Sequence, residues 1–351
     1  MSLRPAISSM SLGRAAVHDL PGKLDQAQQY GITGIEIFYE DLEAVAQSIP
    51  RNSRQETHLF AAHKIRSWCD ERNLKIICLQ PFMHYEGLKD RSEHARRISK
   101  IKLWFKVVQI LRTEMILIPS SFLSVEEITG EKDVIVEDMR EIADLGAKET
   151  PIIRFAYESL GWGTFINTWD QCWDIVVSVD RPNFGICLDT FNIAAKVYAN
   201  PAAPSGRTSN ADQAIKDSIR RLIETVQKEK VFFIQVVDAE RLEEPLIEGH
   251  PLYHPSQPAC LSWSRNCRLF YGEERFGGYL PIKLISLAII HELRYEGWVS
   301  MELFNRIMAD PSQHIPEHLA SRAAESWRRF VEDMDLRGNQ GVDVNSFRPV
   351  L

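Results

Sequence analysis

Several signatures that would classify the sequence quickly are missing. None of the six cysteines, Cys69, Cys78, Cys172, Cys187, Cys260 and Cys267, stands in a CxxC pair, so neither a zinc ribbon nor a dithiol redox motif is present. Two of them fall in apolar strand-like runs. Buried free thiols in a reducing compartment account for that usage, with the cytosol as the default location. No apolar run approaches the roughly 20 residues that a membrane helix needs. The opening residues, MSLRPAISSMSLG, lack a signal peptide's apolar stretch. There is no GxGxxG and no GxxxxGKS, the glycine-rich turns that cradle phosphates in open α/β sheets. Excess positive charge is absent as well. The formal net charge is −7, which argues against a nonspecific nucleic-acid surface. Neither nucleic acid nor membrane is therefore an expected partner.

What is present is a chain of 351 residues, 44% hydrophobic and 25% charged, an ordinary globular composition with ample material for a core. β-prone runs alternate with helical patterns along its length. The runs are PAISSMSLG at residues 5–13, then ITGIEIFYED, LKIICLQPF, EMILIPSSF, PIIRFAYESL, NFGICLDTFN, VFFIQVVDAE and WVSMELFN. Between them, helical spacing marks residues 41–73 with a break near Pro50, then 90–111, 125–147, TWDQCWDIVVSV, 211–228, PIKLISLAIIHELRYEG and 316–334. The charge run within 90–111 reads as a solvated helix face.

Strands that are apolar throughout suit a parallel sheet covered on both faces. Eight such units at this length predict an α/β fold, a single-domain (β/α)8 TIM barrel over residues 1–335. Residues 238–280 are expected to form a long lid-like insertion after strand seven. They hold four prolines and the phrase LSWSRNCRLFYGEERFGGY. A connection of that length is usually functional or disordered, and its aromatic and arginine content points to an ordered cover over a site. Residues 336–351 read as a loose tail. No helix face stands out as a dimer surface, so the oligomeric state stays open.

In a barrel, the C-terminal ends of the strands share one mouth. Four of the predicted strands end on an oxygen donor: Glu158, Asp189, Gln235 and Glu302. Three carboxylates and an amide make an all-oxygen set, which favours a hard or borderline divalent ion such as Mn²⁺, Mg²⁺ or Co²⁺ over a structural zinc. Without a cation the three acids would repel one another, so an ion or raised pKa values are required.

The segments LQPF, YESLGW, CLDTFN, IQVVDAE, SWSRNCRLF and GWVSMELFNR resemble those of the fungal 3-dehydroshikimate dehydratases. These are xylose-isomerase-like TIM barrels of the sugar phosphate isomerase/epimerase superfamily. The likeness runs from ISSMSLG to about residue 335 with the motif order kept. It implies a hydro-lyase that converts 3-dehydroshikimate to protocatechuate and water through an enolate stabilised by one divalent metal ion, in quinate and shikimate catabolism. It also implies Glu158, Asp189, Gln235 and Glu302 as the metal ligands, and Ser264, Arg265 and Arg268 as contacts to a carboxylate-bearing small substrate. Gln80, at the polar end of strand three, joins the candidate substrate contacts. There are departures from the pattern. Asn192 stands where many relatives of the superfamily have a histidine, and an amide cannot accept a proton, so it is expected only to orient substrate or water. Leu160 likewise replaces a histidine kept by some relatives. The general base is then sought at other strand ends, in His84 and Glu36, ahead of His250 and His254 in the long loop. Two other readings of the sequence are a sugar or keto-acid isomerase or epimerase on the same barrel, and a metabolite-binding homologue without catalysis.

Overall fold

The computed structural model describes residues 3–49 and 53–336. Eight strands close into a barrel: β1 (Leu3–Ser8), β2 (Gly34–Phe38), β3 (Lys75–Gln80), β4 (Met115–Pro119), β5 (Arg154–Glu158), β6 (Phe184–Asp189), β7 (Val231–Gln235) and β10 (Gly297–Met301). Every neighbouring pair is parallel, and β1 closes the ring between β2 and β10. Two short strands, β8 (Val237–Ala239) and β9 (Arg268–Phe270), pair antiparallel outside the barrel. The helices are α1 (Leu20–Gln29), α2 (Tyr39–Gln47), α3 (Arg54–Glu71), α4 (Arg91–Leu111), α5 (Lys132–Gly146), α6 (Trp169–Val179), α7 (Thr190–Val197), α8 (Ala211–Thr225), α9 (Ala259–Cys267), α10 (Ile282–Leu287) and α11 (Ile315–Asp333).

Side chains alternate across each strand, so one set faces the helices and the other the lumen. Ile7, Ile35, Ile116, Phe155, Tyr157, Ile186, Leu188, Ile234 and Val299 belong to the large core between strands and helices. A separate cluster of Ala6, Cys78, Leu117, Ala156, Cys187 and Phe233 fills the lumen. Two of the cysteines thus serve as small lumen residues, and all six thiols are free. Phe232 and Trp298 pack against this plug, with the guanidinium of Arg154 3.8 Å and that of Arg4 4.0 Å from the respective ring centroids. The lumen is therefore solid below, and polar inward positions are left only at the C-terminal ends of the strands.

Three segments differ from the sequence reading. VFFIQVVDAE was expected to be one strand. It leaves the barrel after Gln235, and Val237–Ala239 pairs with Arg268–Phe270 instead. The pattern stays β-prone throughout, but the later partner lies far along the chain. The segment expected to be irregular carries α9 and β9. α5 begins at Lys132, after a non-helical stretch at 125–131. The break predicted near Pro50 lies outside the described residues.

A buried ion pair ties the first two βα units together. Lys23 Nζ donates to Asp41 Oδ1 at 2.5 Å and to the Gly13 carbonyl at 2.9 Å, with both side chains essentially inaccessible. Asp41 Oδ2 accepts from Ser9 Oγ at 2.6 Å, and that hydroxyl accepts from the Phe38 N–H at 2.9 Å. Removing one partner of such a pair strands the other charge. Asp41→Ala is expected to cost about 3–5 kcal/mol of stability, measured by denaturant unfolding. A loss below about 1 kcal/mol would show that the pair does not hold these ends together.

Candidate active site

The period of two that fills the lumen with Ala156, Cys187 and Phe233 carries the next inward positions to the mouth. These are Glu158 at the end of β5, Asp189 at the end of β6 and Gln235 at the end of β7, with Glu302 just past β10. One carboxylate oxygen from each of Glu158, Asp189 and Glu302 lies within 4.8 Å of the others, and all three residues are buried. Burial, followed by the charges of Glu302 and Asp189, raises the Glu158 pKa well above the carboxylate range. Glu302 is pushed up to about 8, first by burial and then by Glu36 and Asp189, against the opposing charge of Arg268.

The acids are oriented by donors. Arg268 is fully buried. Its Nη1 donates to Asp189 Oδ2 at 2.9 Å and Glu302 Oε2 at 3.1 Å, and its Nε to Ser264 Oγ at 3.1 Å. The guanidinium lies over the rings of Phe191 and Phe304, 4.3 and 5.2 Å from their centroids. Asn192 Nδ2 bridges Glu158 Oε1 at 2.9 Å and Asp189 Oδ2 at 2.8 Å, while its Oδ1 accepts from the Gly161 N–H at 3.0 Å. Asn192, expected to orient substrate or water, is engaged here with the acids themselves. Its amide is committed to the acids, and Asn192 is not among the residues lining the cavity described below. Gln80 Nε2 donates to Glu302 Oε1 at 2.7 Å and Glu36 Oε2 at 3.0 Å.

Glu36 lies beneath this layer. It accepts from Gln80, Gln235, Cys78 and Ser300 Oγ, and burial raises its pKa. Sealed by four donors and absent from the cavity wall, it is not placed to take a proton from a ligand there. It anchors the amides of Gln80 and Gln235. With Nε2 of Gln235 turned to Glu36 at 3.2 Å, Oε1 is the atom this residue can offer a cation.

Above the acids opens a cavity of about 510 Å³. Glu158 and Glu302 form part of its floor, with Gln80, Ser264, Arg265 and Arg268 also on its surface. Apolar walls come from Phe38, Phe122, Leu160, Trp162 and Phe304. His84 stands behind this wall, edge-on to Phe122 at 4.5 Å, with Nδ1 3.2 Å from Ser121 Oγ. Burial, then the charges of Arg97 and Arg265, lower its pKa to about 4. His250 and His254 accept from N–H groups of their own loop and do not line the cavity.

Arg14, Tyr39, Glu40 and Lys100 also line the cavity, and sequence reasoning did not select them. Lys100 belongs to the helix read as solvated. Its ammonium instead lies over Tyr39, Phe82 and Trp104, 4.7, 5.7 and 5.7 Å from the ring centroids. A signal was available four positions further along α4 in Trp104, which marks this stretch as facing inward.

The donor set fits a divalent ion. With all three carboxylates ionised, one guanidinium leaves two negative charges uncompensated, and without a cation burial and mutual repulsion raise the pKa of Glu158 and Glu302 instead. Oxygen donors at this convergence suit a hard cation.

The chain matches the family described as Xylose isomerase-like TIM barrel over residues 24–330. It is 53% identical over 343 residues to a Neurospora crassa protein named 3-dehydroshikimate dehydratase, with 96% of each chain covered. A Pseudomonas aeruginosa protein of the same name is 29% identical over 288 residues, covering 82% of this chain and 36% of that one. Among solved structures, a xylose isomerase-like TIM barrel/4-hydroxyphenylpyruvate dioxygenase fusion protein superposes with a TM-score of 0.71 at 24% identity. That match covers 100% of this chain and 46% of the other, and it shows the fold.

A buried acid beside the site gives a pH prediction. Glu86 Oε1 accepts from the Ser121 N–H at 2.5 Å and from Tyr157 Oη at 3.2 Å, while Oε2 has no partner. Burial raises its pKa to about 7. A carboxyl raised in the fold stabilises the protein below its unfolded pKa, and that contribution is lost as pH rises through about 7. Glu86→Gln is expected to remove a decline of about 3 kcal/mol between roughly pH 4.5 and 7, read from denaturant melts at pH 5 and 8. An unchanged slope in the variant would contradict the assignment.

Proposed function

The chain belongs to the xylose isomerase-like TIM barrel family, and from that premise we infer that it is a 3-dehydroshikimate dehydratase, a hydro-lyase releasing protocatechuate and water. The observation that carries the reading is the 53% identity to the Neurospora crassa enzyme along 96% of both chains. The acid cluster and the cavity above it agree with that chemistry.

We propose Glu158, Asp189, Glu302 and Oε1 of Gln235 as the ligands of one divalent ion, manganese, magnesium or cobalt. When bound, such an ion polarises a carbonyl oxygen and stabilises charge that develops on it. The chain's own residues do the rest. Asn192 and Gln80 hold the carboxylates in orientation, and Glu36 keeps the amides of Gln80 and Gln235 turned. Arg268 keeps Nη1 on Asp189 and Glu302, and its remaining amine is available to a ligand. Ser264 Oγ accepts from Arg268 Nε at 3.1 Å, so its own proton can be donated to a substrate oxygen. Arg265 supplies a cation for the substrate carboxylate. The apolar walls limit water around the ring.

The reaction removes one ring proton and expels one hydroxyl as water, and the ring becomes aromatic. Of the groups considered for proton removal, Glu36 is enclosed by its donors and His250 and His254 do not line the cavity. We propose His84, which stands behind the Phe122 ring and reaches a ligand by displacement of that ring; its lowered pKa keeps the imidazole neutral near pH 7, and its Nε2 has no partner among the described residues. Segment 238–280 is proposed as the cover, carrying Ser264, Arg265 and Arg268 to the mouth. Asp238 Oδ1 accepts from the Tyr279 and Leu280 N–H groups at 3.2 and 2.9 Å, which ties the two ends of this segment together. Six free thiols and the absence of a helix long and apolar enough to cross a membrane among the described residues support a cytosolic setting.

Purified protein supplied with Mn²⁺, Mg²⁺ or Co²⁺ is expected to convert 3-dehydroshikimate into an aromatic product that absorbs in the near ultraviolet. No product with any of these ions would overturn the reading. Exchange of the ring proton with solvent without loss of water would move the assignment to an isomerase or epimerase. Glu302→Gln should abolish turnover while leaving the far-ultraviolet circular dichroism intact. His84→Gln should lower kcat by roughly 10²–10⁴-fold. Wild-type kcat in that variant would remove His84 from proton transfer.

A further inference from the structure

Arg14 follows β1 in a turn that is fixed from several sides. Gly13 has φ +131°, and a Cβ there would come within 2.5 Å of the His18 ring. The buried Lys23 ammonium donates to the Gly13 carbonyl at 2.9 Å. The Arg14 N–H donates to the Met308 carbonyl at 2.9 Å, and the Arg14 carbonyl accepts from the N–H groups of Val17 and His18 at 3.0 and 2.8 Å. The backbone position of Arg14 is thus determined by a buried ion pair and by the chain just beyond β10.

Its side chain is half-buried and lines the cavity together with Arg265 of α9. Neither guanidinium makes a hydrogen bond or ion pair with any described residue. Arg268 is paired with Asp189 and Glu302, Arg322 with Glu273 and Arg306 with Glu240. Glu40 lines the same cavity but is ion-paired to neither Arg14 nor Arg265. Burial first, and Arg14 second, hold the pKa of Arg265 down. Two like charges delivered to one cavity, offset in part by the charge of Glu40, favour the entry of an anion.

We propose that Arg14 and Arg265 together hold the substrate carboxylate, and that Arg14 is a specificity-determining residue for carboxylate-bearing rings. Two planar guanidinium groups offer parallel N–H donors that match the two carboxylate oxygens. Held from the β1 end and from α9, the carboxylate fixes which part of the ring lies over Glu158 and Glu302. The pairing rests on the dehydratase reading for its substrate but not for its test.

The test uses the Mn²⁺-loaded protein and two unreactive probes, 3,4-dihydroxybenzoate and catechol, which differ only in the carboxylate. Calorimetry on wild type, Arg14→Ala, Arg14→Gln and Arg14→Lys gives the affinity ratio between the probes. Wild type is expected to prefer the acid. Arg14→Ala and Arg14→Gln should reduce that preference by roughly 10- to 100-fold while catechol affinity stays within about threefold, as for the loss of hydrogen bonds to a charged group. Arg14→Lys should restore part of it. With 3-dehydroshikimate, KM should rise about tenfold or more in Arg14→Ala and kcat fall by less. Because the side chain has no protein partner, melting temperatures should stay at the wild-type value. An unchanged acid-to-catechol ratio in folded Arg14→Ala would overturn the proposal, as would an equal loss for both probes. Lack of turnover by wild type with the probe ratio intact would instead strike the dehydratase reading and leave the clamp standing.

Discussion

Three carboxylates held within 4.8 Å of one another, in a layer closed to water from below, are the constraint on which the structure depends. Such a group cannot be buried ionised without compensation. Arg268 supplies one positive charge from inside the protein, fixed between two phenylalanine rings and bonded to two of the three acids. With all three ionised a deficit of two remains, which a divalent ion would offset; without one, the raised pKa values of Glu158 and Glu302 lessen it. Glu36, one layer lower, is enclosed by four donors, which favour its charged form, while burial raises its pKa. The division is physical: the upper acids keep a partly open side and can meet a cation, whereas the lower acid is a framework for the amides beside it.

The chain's one large departure from a plain barrel serves the same site. After Gln235 the backbone leaves the sheet, and residues 237–239 pair with 268–270. That detour brings α9 over the mouth, so Ser264 and Arg265 reach the cavity and Arg268 reaches the acids. Trp263 is buried beneath it and donates to the Glu240 carbonyl at 2.8 Å. Asn305 Nδ2 donates to the Arg268 carbonyl at 2.9 Å from just beyond Glu302. The residues that would bind the cation and those that would bind the substrate are therefore mechanically continuous.

The barrel and its acidic mouth were legible because both follow from local pattern. Strands such as FGICLD and MILIP are apolar on both faces, and an acid ending an apolar run is conspicuous. What could not be read was anything set by distant partners. The fate of VVDAE depends on β9, some 30 residues later. Asn192 could be excluded as a base from its chemistry alone, but its bridge between Glu158 and Asp189 needed coordinates. Glu36 and Gln235 look alike in sequence, each a polar residue in a strand, yet one lies beneath the site and the other at its edge. Lys100 was hidden because charged residues on α4 mostly do face solvent. Arg14 was hidden because a glycine–arginine turn after a strand carries no signal of its own.

The central claim is that the buried acids at the ends of β5 and β6 and just past β10, with the amide at the end of β7, bind a single divalent ion. Anomalous diffraction from a crystal of the protein grown with Mn²⁺ measures this directly. The account predicts one strong peak in contact with Glu158, Asp189, Glu302 and Oε1 of Gln235, with Arg268 beside it. A peak elsewhere, or a site that stays without manganese while Arg268 alone neutralises the acids, would contradict it.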